Sequence, residues 1–133
     1  MKNDEKSVIG GEFLLNDTDS ENVFTMEDFD SDQRMMAESC IDFLERDIIP
    51  LADKIDSKNH PELMPNLLKK SGELGLLGLS IAEEYGGMNM SFNTSMLIAD
   101  IVGITGSYST AYGAHTGIAT LPLKYYGNDD QKE

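Results

Sequence analysis

Positive charge is scarce in this sequence: ten lysines and arginines stand against 24 aspartates and glutamates, for a formal net charge of -14 over 133 residues. Nucleic-acid binding needs clustered Lys and Arg to displace counterions, and the only close basic pair is Lys69-Lys70. Nucleic acid is therefore set aside as a partner. The acidic residues crowd the part before His60, and such a surface repels phosphate, so the phosphates of a nucleotide-like ligand would not be held mainly by this chain. Cysteine is nearly absent. The single Cys40 cannot form an internal disulfide, and its place in an apolar helical pattern reads as a buried thiol in a reducing compartment. Histidine is equally sparse, and His60 and His115 are too far apart to give the ligand spacing of a zinc or di-iron site. Long apolar runs are missing as well. The longest, Met96 to Ile104, is broken by Asp100 and falls far short of the roughly 20 residues that span a bilayer. The start, Met1-Lys2-Asn3-Asp4-Glu5-Lys6, mixes both charge signs and leads into no apolar run of signal-peptide length, which places the chain in the cytoplasm.

What remains is the composition of an ordinary globular protein, 40% hydrophobic and 26% charged, long enough for one core. Residues 1 to 30 carry no sustained period and read as an extended arm, with disorder expected at the first few residues. Phe13, Leu14, Leu15, Phe24 and Phe29 could dock it on a surface. From Ser31, read as an N-cap followed by a Ser-x-x-Arg step to Arg34, the spacing of Met36, Cys40, Phe43, Leu44 and Ile48 predicts an amphipathic helix. Pro50 should kink or end it before Ala52 to Ile55. A second helix starts near His60-Pro61 or, because of Pro65, near Met64. Gly72, Gly75 and Gly78 then break the chain into turns ahead of a short extended piece at Leu79-Ser80-Ile81, and Gly86-Gly87 marks a loop. A third helix runs from Ser91 or Asn93 to Gly103, and its broad apolar face suggests a central position. A fourth spans Ser107 to Gly117, followed by a turn or short helix from Leu121 to Tyr126, and Asn128-Asp129-Asp130 would cap one more. That last helix begins just before the sequence ends, which reads as truncation.

Few residues suggest chemistry by themselves. Gly72-x-x-Gly75-x-x-Gly78 lacks the preceding strand and the spacing of a phosphate loop, and reads as helix termination. Glu83 or Glu84 could act as a general base, but an exposed acidic loop explains them equally well. Asp100 sits either at the edge of a buried face or in a buried hydrogen bond. The small-residue segment says more: Gly113 and Gly117 share one helix face with Thr110 and Ala114 nearby, leaving almost no side-chain volume there. Either another helix packs tightly against that face, or the face is a wall for a slender apolar ligand.

Taken together, these stretches resemble the acyl-CoA dehydrogenases, particularly the long-chain and very-long-chain branch. The resemblance rests on Gly10-Gly11-Glu12-Phe13-Leu14, Phe24-Thr25-x-Glu27-Asp28-Phe29 and Gln33-Arg34-Met35. It continues through Gly72-Glu73-Leu74-Gly75-Leu76-Leu77-Gly78 to Glu83-Glu84-Tyr85-Gly86-Gly87, and closes on Ala114-His115-Thr116-Gly117-Ile118 and Tyr126-Gly127-Asn128-Asp129-Asp130-Gln131-Lys132. It implies an all-α chain, the N-terminal helical-bundle domain of that fold over residues 31–133 behind the arm 1–30, truncated before the middle β domain. It further implies an enzyme that removes the α-proton and the β-hydride of fatty acyl-CoA thioesters in fatty acid β-oxidation. FAD and the catalytic glutamate would belong to the absent domains, so no catalytic residue is assigned here and the chain alone should be inactive. An electron-transfer acceptor and a homo-oligomer are implied for the full enzyme. One wall of the acyl-chain cavity is assigned to Tyr112, Gly113, His115, Thr116, Gly117 and Thr120. Two positions depart from the pattern: Ala82 stands where proline is frequent, and Pro122 stands where very-long-chain members can have glycine, which argues against the longest substrates. An acyl-CoA oxidase of the same superfamily and a stand-alone helical binding or assembly module are the rival readings.

Overall fold

The computed structural model describes residues 11–132, and every regular element among them is helical. Gly10 and the first residues, where disorder is expected, lie outside that range. The chain divides into two compact units, Met1–Arg34 and Met35–Glu133. In the first, the described arm is not simply extended but forms three single 3-10 turns, Glu12–Leu14, Ser20–Asn22 and Met26–Asp28. The third turn is tied down locally. Thr25 N–H donates to Asp28 Oδ2 at 2.9 Å, and the Phe24 and Phe29 rings meet edge-on at 5.1 Å. Arg34 spends its donors on the carbonyls of Phe29 and Glu27, at 2.9 and 3.0 Å, so it closes this turn and takes no part in capping.

Helix α1, Ser31–Phe43, is capped one residue earlier than its sequence suggests. Gln33 N–H donates to Asp30 Oδ1 at 2.9 Å and Asp30 N–H to Gln33 Oε1 at 3.0 Å, a reciprocal capping box built on Asp30 and not on Ser31. The chain then passes through a π-helical stretch, Leu44–Ile48, a 3-10 turn, Ile49–Leu51, and α2, Ala52–Asp56. Pro50 therefore does not end the run. A proline ring strikes the carbonyl four residues back in a regular α-helix, and here the backbone has already widened before the ring arrives. Helix α3, Leu63–Glu73, carries Pro65 in its first turn, where a missing donor costs nothing. Helix α4 is Phe92–Val102, with the Ser91 hydroxyl accepting from Thr94 N–H at 3.4 Å. Next come α5, Ser107–Gly113, a second π-helical stretch, Ala114–Ala119, and α6, Thr120–Tyr126. These form one continuous run: the helix expected to end at Gly117 goes on, and the turn or short helix expected from Leu121 to Tyr126 is its last part, α6. The short α7, Asp129–Lys132, has its own box: Gln131 N–H to Asn128 Oδ1 at 3.0 Å and Asn128 N–H to Gln131 Oε1 at 3.1 Å.

The core of the second unit gathers Cys40, Phe43, Leu44 and Ile48 with Leu67, Leu76, Leu79, Ile98, Val102, Tyr108 and Tyr112. Helix α5 occupies the middle, packing against α2, α3 and α4, so the central element is the tyrosine-bearing helix and not the more apolar α4. Asp100 is settled by the same packing, since it lies on the exposed side of α4. Tyr108 and Tyr112, one turn apart, point the same way into the core. The Tyr108 hydroxyl lies 2.7 Å from Ser71 Oγ, and the Tyr112 hydroxyl donates to the Leu76 carbonyl at 2.9 Å. Burial pushes both phenols above their ordinary pKa, so they stay neutral donors. Among the described residues no buried side-chain polar atom lacks a partner.

Between α3 and α4 the chain is all turn, and the expected extended piece at Leu79-Ser80-Ile81 forms no strand. Helix α3 ends in a Schellman motif: Gly75 N–H donates to Gly72 O at 2.9 Å and Leu76 N–H to Ser71 O at 3.0 Å, with Gly75 at φ +79°. The loop returns on itself at Gly87, where a Cβ would run into the backbone carbonyl of Ile81. On the far side, Lys70 Nζ reaches Asp47 Oδ1 at 2.7 Å while Arg46 Nε holds Oδ2 at 2.8 Å, joining α3 to the first helical run.

Gly87→Ala should destabilise the chain by about 2–3 kcal/mol, because a rigid backbone cannot yield to the new methyl group. Gly72→Ala should be neutral or stabilising, since its Cβ would meet only Leu77 Cδ1 at 3.5 Å and helical alanine is favoured over glycine. Urea unfolding of both variants checks this, and equal losses would dismiss the close approach at Gly87. Asp47 gives a pH signature. Its carboxyl is held below the ordinary range chiefly by the Lys70 hydrogen bond, with help from Arg46 against the opposing effect of burial. A depressed folded pKa contributes stability above the unfolded value of about 3.9, and that contribution is lost as pH falls through the folded value. Asp47→Asn should cost about 0.5 kcal/mol at neutral pH, the scale of an exposed ion pair, and its deficit should fade on acidification.

Candidate functional site

The run from Ser107 to Tyr126 and the loop after α3 enclose the concave part of the second unit. Within the run, the π-helical stretch changes which carbonyls are within reach: the Thr116 hydroxyl donates four residues back to Tyr112 O at 2.9 Å, and the Thr120 hydroxyl donates five residues back to His115 O at 2.6 Å. Pro122, which has no N–H to offer, follows directly in the first turn of α6. The wider turn absorbs the proline and, in doing so, sets the directions of His115, Thr116 and Gly117.

Two cavities lie against this run. The smaller, about 170 Å³, sits between α4, the 107–126 run and the Leu76–Ile81 turn, and its lining is mostly apolar, with Leu79, Met90, Met96 and Leu121 among its residues. The larger, an open cleft of about 520 Å³, lies between the Leu77–Gly87 loop, α6 and α7. Tyr112, Thr116 and Gly117 line the smaller cavity, His115 lines the larger, and Thr120 lines both. Gly113 lines neither and is exposed. The two readings left open by the small-residue face also separate here. A Cβ built on Gly113 or Gly117 meets nothing within 4 Å, so no helix among the described residues packs against those glycines. Ile118 beside them is 80% exposed. The face is open.

The remaining candidates have structural occupations. The glycine string uses its amides to close α3, Gly75 bonding Gly72 O and Gly78 bonding Gly75 O, so it forms no phosphate cradle. Glu83 and Glu84 are both exposed in a 3-10 turn, Glu84 at the rim of the larger cleft. Cys40 is fully buried, and burial alone pushes its thiol up to about 11, which removes the thiolate a reactive cysteine needs. Among the described residues no group of three or more His, Cys, Asp or Glu converges as a metal site, and no helix is long and apolar enough to cross a membrane. Sequence reasoning passed over Leu77, Ile81 and Lys124, which line both cavities. Lys124 was the available signal, a single cation inside the apolar stretch Leu121–Tyr126.

The comparisons with known proteins agree with one another. The family model described as the acyl-CoA dehydrogenase N-terminal domain matches residues 30–133. A probable acyl-CoA dehydrogenase of Bacillus subtilis is 42% identical over 125 residues, covering 93% of this chain and 21% of the relative. The mitochondrial isovaleryl-CoA dehydrogenase of Solanum tuberosum is 35% identical over 106 residues, covering 79% of this chain and 26% of its own length. Among solved structures, the crystal structure of an acyl-CoA dehydrogenase complexed with FAD from Bacillus anthracis superposes with a TM-score of 0.86 at 38% identity, over 95% of this chain and 21% of that one. The chain thus spans only a fifth to a quarter of the length of the relatives it matches. With its helical architecture, its Gly-Glu-Leu-Gly-Leu-Leu-Gly turn and this agreement, the chain belongs to the acyl-CoA dehydrogenase family, of which it carries the N-terminal helical domain.

Proposed function

We propose that this chain is the amino-terminal part of a flavin-dependent, cytoplasmic acyl-CoA dehydrogenase that introduces the α,β double bond into fatty acyl-CoA thioesters, and that its share of the work is one wall of the acyl-chain cavity. The observation that carries the reading is the smaller cavity, apolar and bordered by Tyr112, Thr116, Gly117 and Thr120, with open space at Gly117 where a side chain would otherwise stand. A slender hydrocarbon needs such a surface: no charge, little bulk, and hydroxyls already satisfied within the helix. Thr116 and Thr120 meet the last condition by bonding Tyr112 O and His115 O. His115, at the larger cleft, and Gly113, on the bare helix face, are assigned to the same wall where other parts of the enzyme close over it.

The residues present do not fit a flavin dinucleotide. Its phosphates would meet a chain of net charge -14, and the one glycine-rich turn has its amides engaged in closing α3. FAD, bound in the Bacillus anthracis relative, is accordingly assigned to parts of the enzyme beyond this chain, and so is the catalytic base. In this reading residues 1–30 are an arm and residues 31–133 the helical domain. The whole enzyme would be a homo-oligomer that passes its electrons to a separate acceptor. The coding sequence should therefore continue well past codon 133, and a stop codon there would favour the stand-alone helical module.

The purified 133-residue chain should be colourless and dehydrogenate no acyl-CoA. A flavin absorption band that stays with it through gel filtration would overturn that division of labour. Gly117→Leu separates a ligand wall from a packing face. In an enzyme of the relatives' length it should lower kcat/KM for long acyl-CoAs by about tenfold or more while sparing short ones, because it excludes several methylenes worth about 0.8 kcal/mol each. The melting temperature of the 133-residue variant should not fall, since the new side chain enters open space. Uniform loss across chain lengths together with a lower melting temperature would retire the wall.

A further inference from the structure

From Tyr108 to Lys124 the inward side chains recur every four residues. Tyr108 and Tyr112 are buried, and Thr116, Thr120 and Lys124 are half-buried. The outward ones keep the same step: Thr110, Ala114, Ile118, Pro122 and Tyr126 are all exposed. A regular α-helix turns about 100° per residue, so a column taken at every fourth residue winds away by about 40° a step. Continued from Tyr112, such a helix would bring Ala119, Leu123 and Tyr126 to the core side, and all three are exposed. The π-helical stretch Ala114–Ala119 removes the drift, because its extra residue takes back about 100°. Two threonines show where that residue sits. The Thr116 hydroxyl still reaches the carbonyl four residues back, as in an α-helix, whereas the Thr120 hydroxyl and the Thr120 N–H both donate to His115 O, five residues back.

We propose that Thr120 is a positioning residue: by holding the His115 carbonyl with two donors it fixes the wide turn in place, and so keeps the open outer face of the run straight enough for an extended acyl chain to lie along it. Pro122 bars a regular α-helical turn onto the Ile118 carbonyl but leaves open where the extra residue goes. The Thr120 hydroxyl decides that. Both ends of the stretch are anchored, upstream by the Tyr112 hydroxyl on Leu76 O at 2.9 Å and downstream by the Lys124 ammonium on Ser80 O at 2.7 Å. Without the lock the extra residue can move between these anchors, and each step turns the side chain it passes by about 100°, Ile118 among them. The inference rests on the reading of the run as a wall of the acyl-chain cavity.

Thr120→Val keeps the shape and removes the hydroxyl donor, while Thr120→Ser keeps the donor. In the 133-residue chain, amide exchange followed by NMR reports both folding and the lock. Exchange at position 120 should quicken about tenfold in Thr120→Val and stay within about twofold of the unaltered chain in Thr120→Ser, the scale of one lost neutral hydrogen bond. In an enzyme of the relatives' length, Thr120→Val should raise KM for long acyl-CoAs about fivefold with kcat within about twofold, and spare short ones, whereas Thr120→Ser should keep the long-chain KM. If the valine variant does not fold, Thr120→Ala carries the comparison. Gly117→Leu, measured beside them, reports on the wall itself. Unchanged exchange at position 120, equal losses in the valine and serine variants, or a chain-length profile in Thr120→Val that matches the unaltered enzyme would each overturn the lock; with Gly117→Leu still selective for length, the wall would stand. Losses that are uniform with chain length in both Gly117→Leu and Thr120→Val would retire both.

Discussion

Two buried phenols hold the second unit together. Tyr108 and Tyr112 stand one turn apart on α5, and their hydroxyls end at Ser71 and at the Leu76 carbonyl, on the last turn of α3 and the turn that follows it. A buried hydroxyl without a partner costs about 1–3 kcal/mol, so α5 can occupy the centre of the core only in the register that satisfies both. Ser71 is bound in turn to the carbonyls of Leu67 and Leu68, which gives the Tyr108 contact a fixed target. The Phe43 ring meets Tyr108 edge-on at 6.2 Å and brings the first helical run into the same arrangement. Tyr112 is also one of the residues that line the smaller cavity.

The π-helical stretches have a common logic. Each precedes a proline, Leu44–Ile48 before Pro50 and Ala114–Ala119 before Pro122, and each lets a helical run continue where a regular α-helix would break. In the first run the result is architectural: Ile48 stays in the core and α2 reaches α5. In the second, the widened turn is the one that carries His115, Thr116 and Gly117 past the cavities. Gly117 then contributes through what it lacks, a side chain in space that nothing else fills.

The charge distribution and the cavities describe one division of labour. An acidic chain with few cations is poorly suited to hold phosphates. Since this chain matches only a fifth to a quarter of each relative's length, the proposed reading can assign the ligand's polar and apolar ends to different parts of the molecule. In the proposed reading the N-terminal helical domain keeps the apolar end.

Sequence alone determined the helical class, the family and the small-residue face at Gly113 and Gly117. Those depend on local signals: apolar spacing at 3.6 residues, capping residues at Ser91 and Asn128, and glycines at Gly75 and Gly87 where backbone geometry admits nothing larger. Local signals also mislead, as where Ser31 draws the cap away from Asp30, or where Gly117 suggests a helix end inside a continuous run. A proline's effect depends on the hydrogen-bond register of the turn before it, which residue identity does not encode. Tertiary structure decided the rest. That α5 and not α4 is central follows from where two hydroxyls find partners, a matter of contacts between residues 36 and 37 positions apart. That Lys124 meets Ser80 is a contact over 44 positions, and only the folded chain brings those two groups together.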